Sequence, residues 1–182
     1  ETQVLEVLQT LNVAGVEAPL EEIAKNSAGS LQILKQYVEE GLFEFRQQFL
    51  SKLATYEPMT DGFPKEFIGF VDQAGKEPAK RRQRLRLLAD FAILFYRAIA
   101  NRLVHVESDV PESILESVNL AVKNWKADAE TATECIERCM DVHLQIAANA
   151  NQSTLIECWL SDLGKLSRGD EAYSSIKVAL SY

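Results

Sequence analysis

Glycine and proline are scarce in this chain, eight and five among 182 residues. Both punctuate regular structure. Their scarcity leaves long uninterrupted stretches and argues against many short strands joined by tight turns. Cysteine is scarce too: Cys135, Cys139 and Cys158 are all there is. The number is odd and two of the three lie one helical turn apart. A disulfide framework is therefore not expected, and a reducing cytoplasm is the expected location. No stretch approaches the roughly 20 apolar residues that span a bilayer, and the start shows no signal-peptide pattern. Basic side chains are outnumbered, giving a net charge of -8. A surface of that sign repels nucleic acid and anionic lipid as a whole.

What remains is an apolar fraction of 47%, enough for a real core. Its periodicity is helical nearly throughout. Val4, Leu5, Leu8 and Leu11 mark a first helix. A second starts near Pro19, with Glu21 and Glu22 at its positive end, and stops at Asn26 to Gly29. Ser30 is the expected cap of a third helix through Leu31, Leu34 and Val38. Gly41 closes this three-helix unit. The pattern then predicts helices over 42–54, over Phe63 to Val71, and over 79–104, the longest. That last one carries Leu85, Leu88, Ala92, Phe95 and Ile99 on one face, with Leu87, Phe91, Leu94 and Ala98 beside them. So wide a stripe belongs in the middle of a bundle. Asp109 and Glu112 have capping-box spacing ahead of Ile114, Val118 and Ala121. A further helix is expected over 129–148, with Ala132, Ile136, Met140, Leu144 and Ala147 among its apolar positions. Asn149 and Asn151 are suited to the turn that follows, because a short amide tolerates left-handed backbone and can cap a helix. Leu155, Ile156, Trp159, Leu160, Leu163 and Leu166 form the last strong helix, ended by Gly169. The tail to Tyr182 carries at most a short helix. No strand is required. The fold class is all-α. Residues 1–40 form a small three-helix unit, 41–168 a helical bundle and 169–182 a tail. The opening at Glu1, already in a helical pattern, predicts that these residues continue a longer chain.

Chemistry is thinly represented. Ala74-Gly75-Lys76 lacks the earlier glycine and the preceding strand of a phosphate-binding loop. Neither His105 nor His143 accompanies a nucleophile elbow; His105, at the end of the longest helix, suits the dipole there if protonated. Cys135, Cys139 and His143 recur every four residues along one helix face. If the chain turns back at Asn149 to Asn151, Cys158 would come near His143 and complete four soft ligands. Structural zinc ligands, however, come in loop pairs, and core packing is the expected role. No catalytic residue, cofactor or metal is therefore assigned. Lys76, Lys80, Arg81, Arg82, Arg84 and Arg86 form one basic cluster. The plain reading is a solvated first turn of the long helix; the alternative, raised by a position where the helix dipole disfavours cations, is an electrostatic contact with DNA phosphate or an acidic partner. Trp159 and Leu163, with Arg81 and Arg82, are the candidate partner-interface residues. For any single aromatic residue, core is the stronger reading.

Two stretches carry a family resemblance. Ile23-Ala24-Lys25-Asn26-Ser27-Ala28-Gly29-Ser30-Leu31-Gln32-Ile33-Leu34 resembles the lid of bacterial DNA polymerase III clamp-loader subunits, where a short helix ends in a Gly-Ser step. Asn149-Ala150-Asn151-Gln152-Ser153-Thr154-Leu155-Ile156-Glu157-Cys158-Trp159-Leu160 resembles the turn into the last collar helix of the same family. The resemblance spans about Val4 to Leu166; between the two stretches it rests on helix pattern. It implies an AAA+ lid over 1–40 and a collar over 41–168 that joins other clamp-loader subunits in a hetero-pentamer. Gln32 stands where ATP-hydrolysing members tend to carry a nucleotide-sensing arginine. That departure implies a non-hydrolysing subunit of the delta-prime type. DNA contact would then be indirect, and neither a membrane nor a small-molecule substrate is implied. The alternative is a stand-alone helical adaptor that holds a peptide or protein in a groove.

Overall fold

The computed structural model describes residues 41–107 and 110–170. The three expected helices before Gly41, with Ser30 and Gln32, and the tail beyond Asp170 lie outside them. Among the described residues there are six α-helices and no strand. They are α1 (Leu42–Ala54), α2 (Phe63–Asp72), α3 (Pro78–Leu103), α4 (Glu112–Asn124), α5 (Ala129–Ala147) and α6 (Gln152–Ser167). None is long and apolar enough to cross a membrane.

The chain divides into two compact units, 1–48 and 49–182. The division falls inside α1, later than the boundary expected at Gly41. Gly41 does adopt a positive φ of 74°, as a helix boundary allows, but α1 runs on unbroken from the next residue. In the first unit the described part is the opening of α1, where the Arg46 guanidinium lies over the Phe43 ring, 4.9 Å from its centroid.

The second unit is built around α3. Its 26 residues span about 39 Å. It packs along α5, and also against α4 and α2. Leu85, Leu88, Ala92, Phe95 and Ile99 are buried, and so are Leu87, Phe91 and Ala98. The width of the stripe is thus explained by neighbours on several sides. Helix α6 folds back on α5 and also meets α2. Phe49, Phe63, Phe67 and Trp159 interlock there. The Trp159 ring stands edge-on to Phe49 at 5.6 Å and to Phe67 at 5.8 Å, the arrangement ring quadrupoles favour.

The α5–α6 turn forms as its asparagines dictate. Asn149 takes the left-handed conformation, φ 59°, and the Asn151 side chain accepts from the Thr154 N–H at 3.1 Å. Asp128 caps α5 in the same way, accepting from Thr131 N at 2.9 Å. The start of α4 differs from expectation. Its cap position is Pro111, which offers no side-chain acceptor. Asp109, the expected cap, lies outside the described residues.

Candidate partner interface

Helix α5 carries two apolar stripes, and the bundle takes the one with Cys135 and Cys139, in the core-packing role expected of them. Ala132, Cys135, Cys139, Val142 and Ile146 are buried. Of Ala132, Ile136, Met140, Leu144 and Ala147 only Ala132 is buried. Ile136 is partly covered, Ala147 is exposed, Met140 is 57% exposed and Leu144 70%. The reason is steric. Alanine and two cysteines are small enough to sit where α5 packs on α3 and α6, with Val142 and Ile146 completing the buried row.

Burial also fixes the state of the two thiols. It pushes Cys135 up to about 12, with the Ser167 hydroxyl 3.8 Å away acting weakly in the opposite sense. It raises Cys139 further still, against a smaller pull from the Trp159 indole. Both stay protonated and act as small apolar groups. Cys158 is exposed and does not join them. His143 is engaged elsewhere, with Nε2 3.1 Å from Asp90 Oδ1 on α3. Among the described residues no three His, Cys, Asp or Glu side chains are grouped to hold a metal ion.

The surroundings of the exposed stripe are acidic. Glu130, Glu137 and Asp141 lie exposed along one flank. The single arginine of α5, Arg138, is turned the other way. Its Nε donates to Asp162 Oδ2 on α6 at 2.8 Å and its Nη1 to Gln145 Oε1 at 3.3 Å.

The predicted interface residues fall into two groups. Trp159 and Leu163 are completely buried and present no surface; they are core. Arg81 and Arg82 line a 260 Å³ cavity with Asp72, Gln152 and Ser153, where the first turn of α3 meets that of α6. Arg81 Nη1 donates to Asp72 Oδ1 at 3.2 Å, and the same oxygen accepts from Gln152 Nε2 at 3.1 Å. Other members of the basic cluster also have structural work. Arg84 Nη1 donates to the Phe70 carbonyl at 2.7 Å, with its guanidinium over the Phe70 ring. Lys80 lies 3.5 Å from Glu77. The cations opposing the α3 dipole are thus partly answered by groups on α2 and at the α3 start. His105 follows the last turn of α3 with φ 57°, exposed.

The feature that sequence reasoning missed is the outward Met140–Leu144 face. Its signal was present as a second, equally periodic stripe of smaller residues on the same helix. No family model, curated protein or solved structure matches this chain.

Proposed function

We propose that this chain is a non-catalytic assembly module. In the finer form of that reading it is the lid and collar portion of a clamp-loader subunit of the delta-prime type, working in the cytoplasm inside a hetero-pentamer. The observation that carries the assembly reading is the α5 face. A helical bundle with enough apolar residues to bury leaves Met140 57% and Leu144 70% exposed on one helix. Adjacent exposed apolar side chains with a charged border are what a protein contact requires. The clamp-loader form rests on the two resembling stretches and on Gln32 in place of a phosphate-sensing arginine. The long α3 at the centre of an all-helical bundle is in keeping with it.

A peptide-holding adaptor would offer an elongated apolar groove. The cavity at Arg81 is compact and bordered by charged and amide side chains, so it favours that reading less. The decisive experiment mixes the purified chain with the clamp-loader subunits encoded in the same genome and follows co-elution by size-exclusion chromatography with light scattering. A stoichiometric complex is expected. Elution of the chain apart from every subunit would refute the clamp-loader form.

A further inference from the structure

We infer that the cavity between the first turns of α3 and α6 is a binding site for a phosphate group, carried by a small phosphorylated molecule or present as the free ion. The site is independent of the assembly reading, since its ligand is a small anion and not a protein surface.

Pro78, Arg81, Arg82 and Leu85 share one face of α3 and form one wall. Gln152 and Ser153 line the other side, at the start of α6. Leu85, Ile146 and Leu155 are its buried apolar lining, and charge beside such a lining is poorly screened. Hydrogen-bond donors outnumber their partners here. Among the described residues Arg82 makes no hydrogen bond and no ion pair, although it is partly buried. Arg81 is 31% exposed, yet its Nε is enclosed and meets no acceptor. A buried donor left unmet is costly unless a ligand supplies the acceptor. The Asn151 cap serves only Thr154, so the N–H groups of Gln152 and Ser153 lack an intrahelical acceptor.

Groups that would repel an anion are already engaged. Asp72 is the carboxylate that lines the cavity, and its Oδ1 accepts from Arg81 Nη1 and Gln152 Nε2. It offsets one guanidinium and leaves that of Arg82, together with the positive ends of two helices. At the end of α5 the carbonyls of Leu144, Gln145 and Ile146 accept from the N–H groups of Ala148, Ala150 and Asn149. Donors arriving from two helices suit a tetrahedral anion with several acceptor oxygens, whereas a carboxylate is filled by one guanidinium fork. The cavity, 260 Å³, lies below the roughly 300–1,000 Å³ of sites for drug-sized ligands, so whatever bears the phosphate is small. A nucleic acid would have to approach a chain of net charge -8.

The test titrates inorganic phosphate and glycerol 2-phosphate into the whole chain by isothermal titration calorimetry, in chloride buffer at constant ionic strength. Saturable binding at one site per chain is expected. Tighter binding of glycerol 2-phosphate identifies a phosphorylated small molecule as the source, and tighter binding of inorganic phosphate identifies the free ion. Equal binding supports a site that reads the phosphate group alone. Arg82→Ala is expected to weaken binding at least about tenfold, with an unchanged melting midpoint in chloride because Arg82 has no partner to lose. Arg82→Gln, which keeps a polar side chain, gives the same loss should alanine unsettle α3. Arg86→Ala, on the same helix but outside the cavity, leaves binding unchanged. Absence of saturable binding by either probe overturns the proposal. So does binding that Arg82→Ala and Arg82→Gln leave intact, or that Arg86→Ala weakens as much. Acetate binding as tightly as phosphate overturns it in favour of a carboxylate site. A single-stranded oligonucleotide without terminal phosphate that binds more tightly than either probe, and through Arg82, overturns it in favour of a nucleic-acid backbone.

Discussion

The hydroxyls of Tyr96 and Ser167 lie 3.1 Å apart in the core and join the middle of α3 to the last turn of α6. Tyr96 is fully buried, and the Cys135 thiol lies 3.8 Å from the same serine oxygen. Three helices therefore share one small polar knot inside an apolar bundle. Removing one member leaves the others under-satisfied rather than merely unbonded. Tyr96→Phe is expected to lower unfolding stability by about 1–2 kcal/mol with an unchanged m-value in urea. A loss below about 0.5 kcal/mol would mean that the hydroxyl pair contributes nothing net.

The same helices supply a contrast between covered and uncovered apolar side chains. Trp159→Ala removes a fully buried indole from the Phe49–Phe67 cage and is expected to cost about 3–5 kcal/mol. Trp159→Asp adds an uncompensated buried charge and is expected to prevent folding at ordinary temperature. Leu144→Asp is expected to shift the melting midpoint hardly at all. Thermal unfolding of the three variants by circular dichroism separates core from surface directly. A Leu144→Asp protein that melts as low as Trp159→Ala would place Leu144 in the core.

The buried thiols make stability fall in alkaline solution. Cys135 titrates near 9.0 when unfolded and at about 12 when folded, raised by burial. Below the unfolded value both states are protonated and the full contribution is present. Between the two values the unfolded chain loses its proton while the fold keeps it. The unfolded state then binds fewer protons and stability declines with rising pH. The slope approaches about 1.4 kcal/mol per pH unit for each such thiol. Cys139 acts in the same direction, and so does Tyr96 above its ordinary value of 10.0. Urea midpoints between pH 8 and pH 11 (roughly the window these ordinary values define) are expected to drop. A Cys135→Ala, Cys139→Ala protein should show a shallower drop. At neutral pH Ellman's reagent should label Cys158 alone until the fold opens.

The α5–α6 turn offers a test by paired substitutions. Asn151→Ala removes the acceptor for Thr154 N and is expected to cost about 1 kcal/mol. Asn149→Gly keeps the left-handed backbone and is expected to be near neutral, whereas Asn149→Ala costs about 1 kcal/mol. Chemical denaturation of the three variants orders them. Equal losses for glycine and alanine at 149 would show that side-chain contacts, rather than backbone handedness, set the residue there.

Helix positions were legible because the breakers are few and well placed. Pro58, Gly62 and Gly75 bracket α2, and Pro78 opens α3. Asn149 and Asn151 show how local chemistry carries through, since the left-handed amide and the cap each need only a neighbour in sequence. The core role of Cys135 and Cys139 was legible, while the outward turn of Met140 and Leu144 was not. Ile136–Met140–Leu144 and Cys135–Cys139–Val142 have the same period, so periodicity could not rank them. Packing chose the smaller set because close helix approach depends on neighbours that a single helix does not encode. The arginines were read as a cluster for the same reason. Asp72 and the Phe70 carbonyl, which engage Arg81 and Arg84, lie on a different helix. The α4 cap was misplaced because a capping box defines spacing, while Pro111 decides where the backbone turns.

The aromatic cage has an optical consequence. Trp159 stands in a dry enclosure of Phe49 and Phe67, so its emission should be shifted to the blue. Trp125 is partly buried, donates its indole N–H to the Asp128 carbonyl at 3.1 Å, and has Tyr56 and Tyr96 as ring neighbours. It should emit further to the red, with tyrosine as a nearby energy donor. The two tryptophans are thus built-in reporters on separate parts of the bundle. One records whether α6 is seated and the other whether the α4–α5 junction is closed.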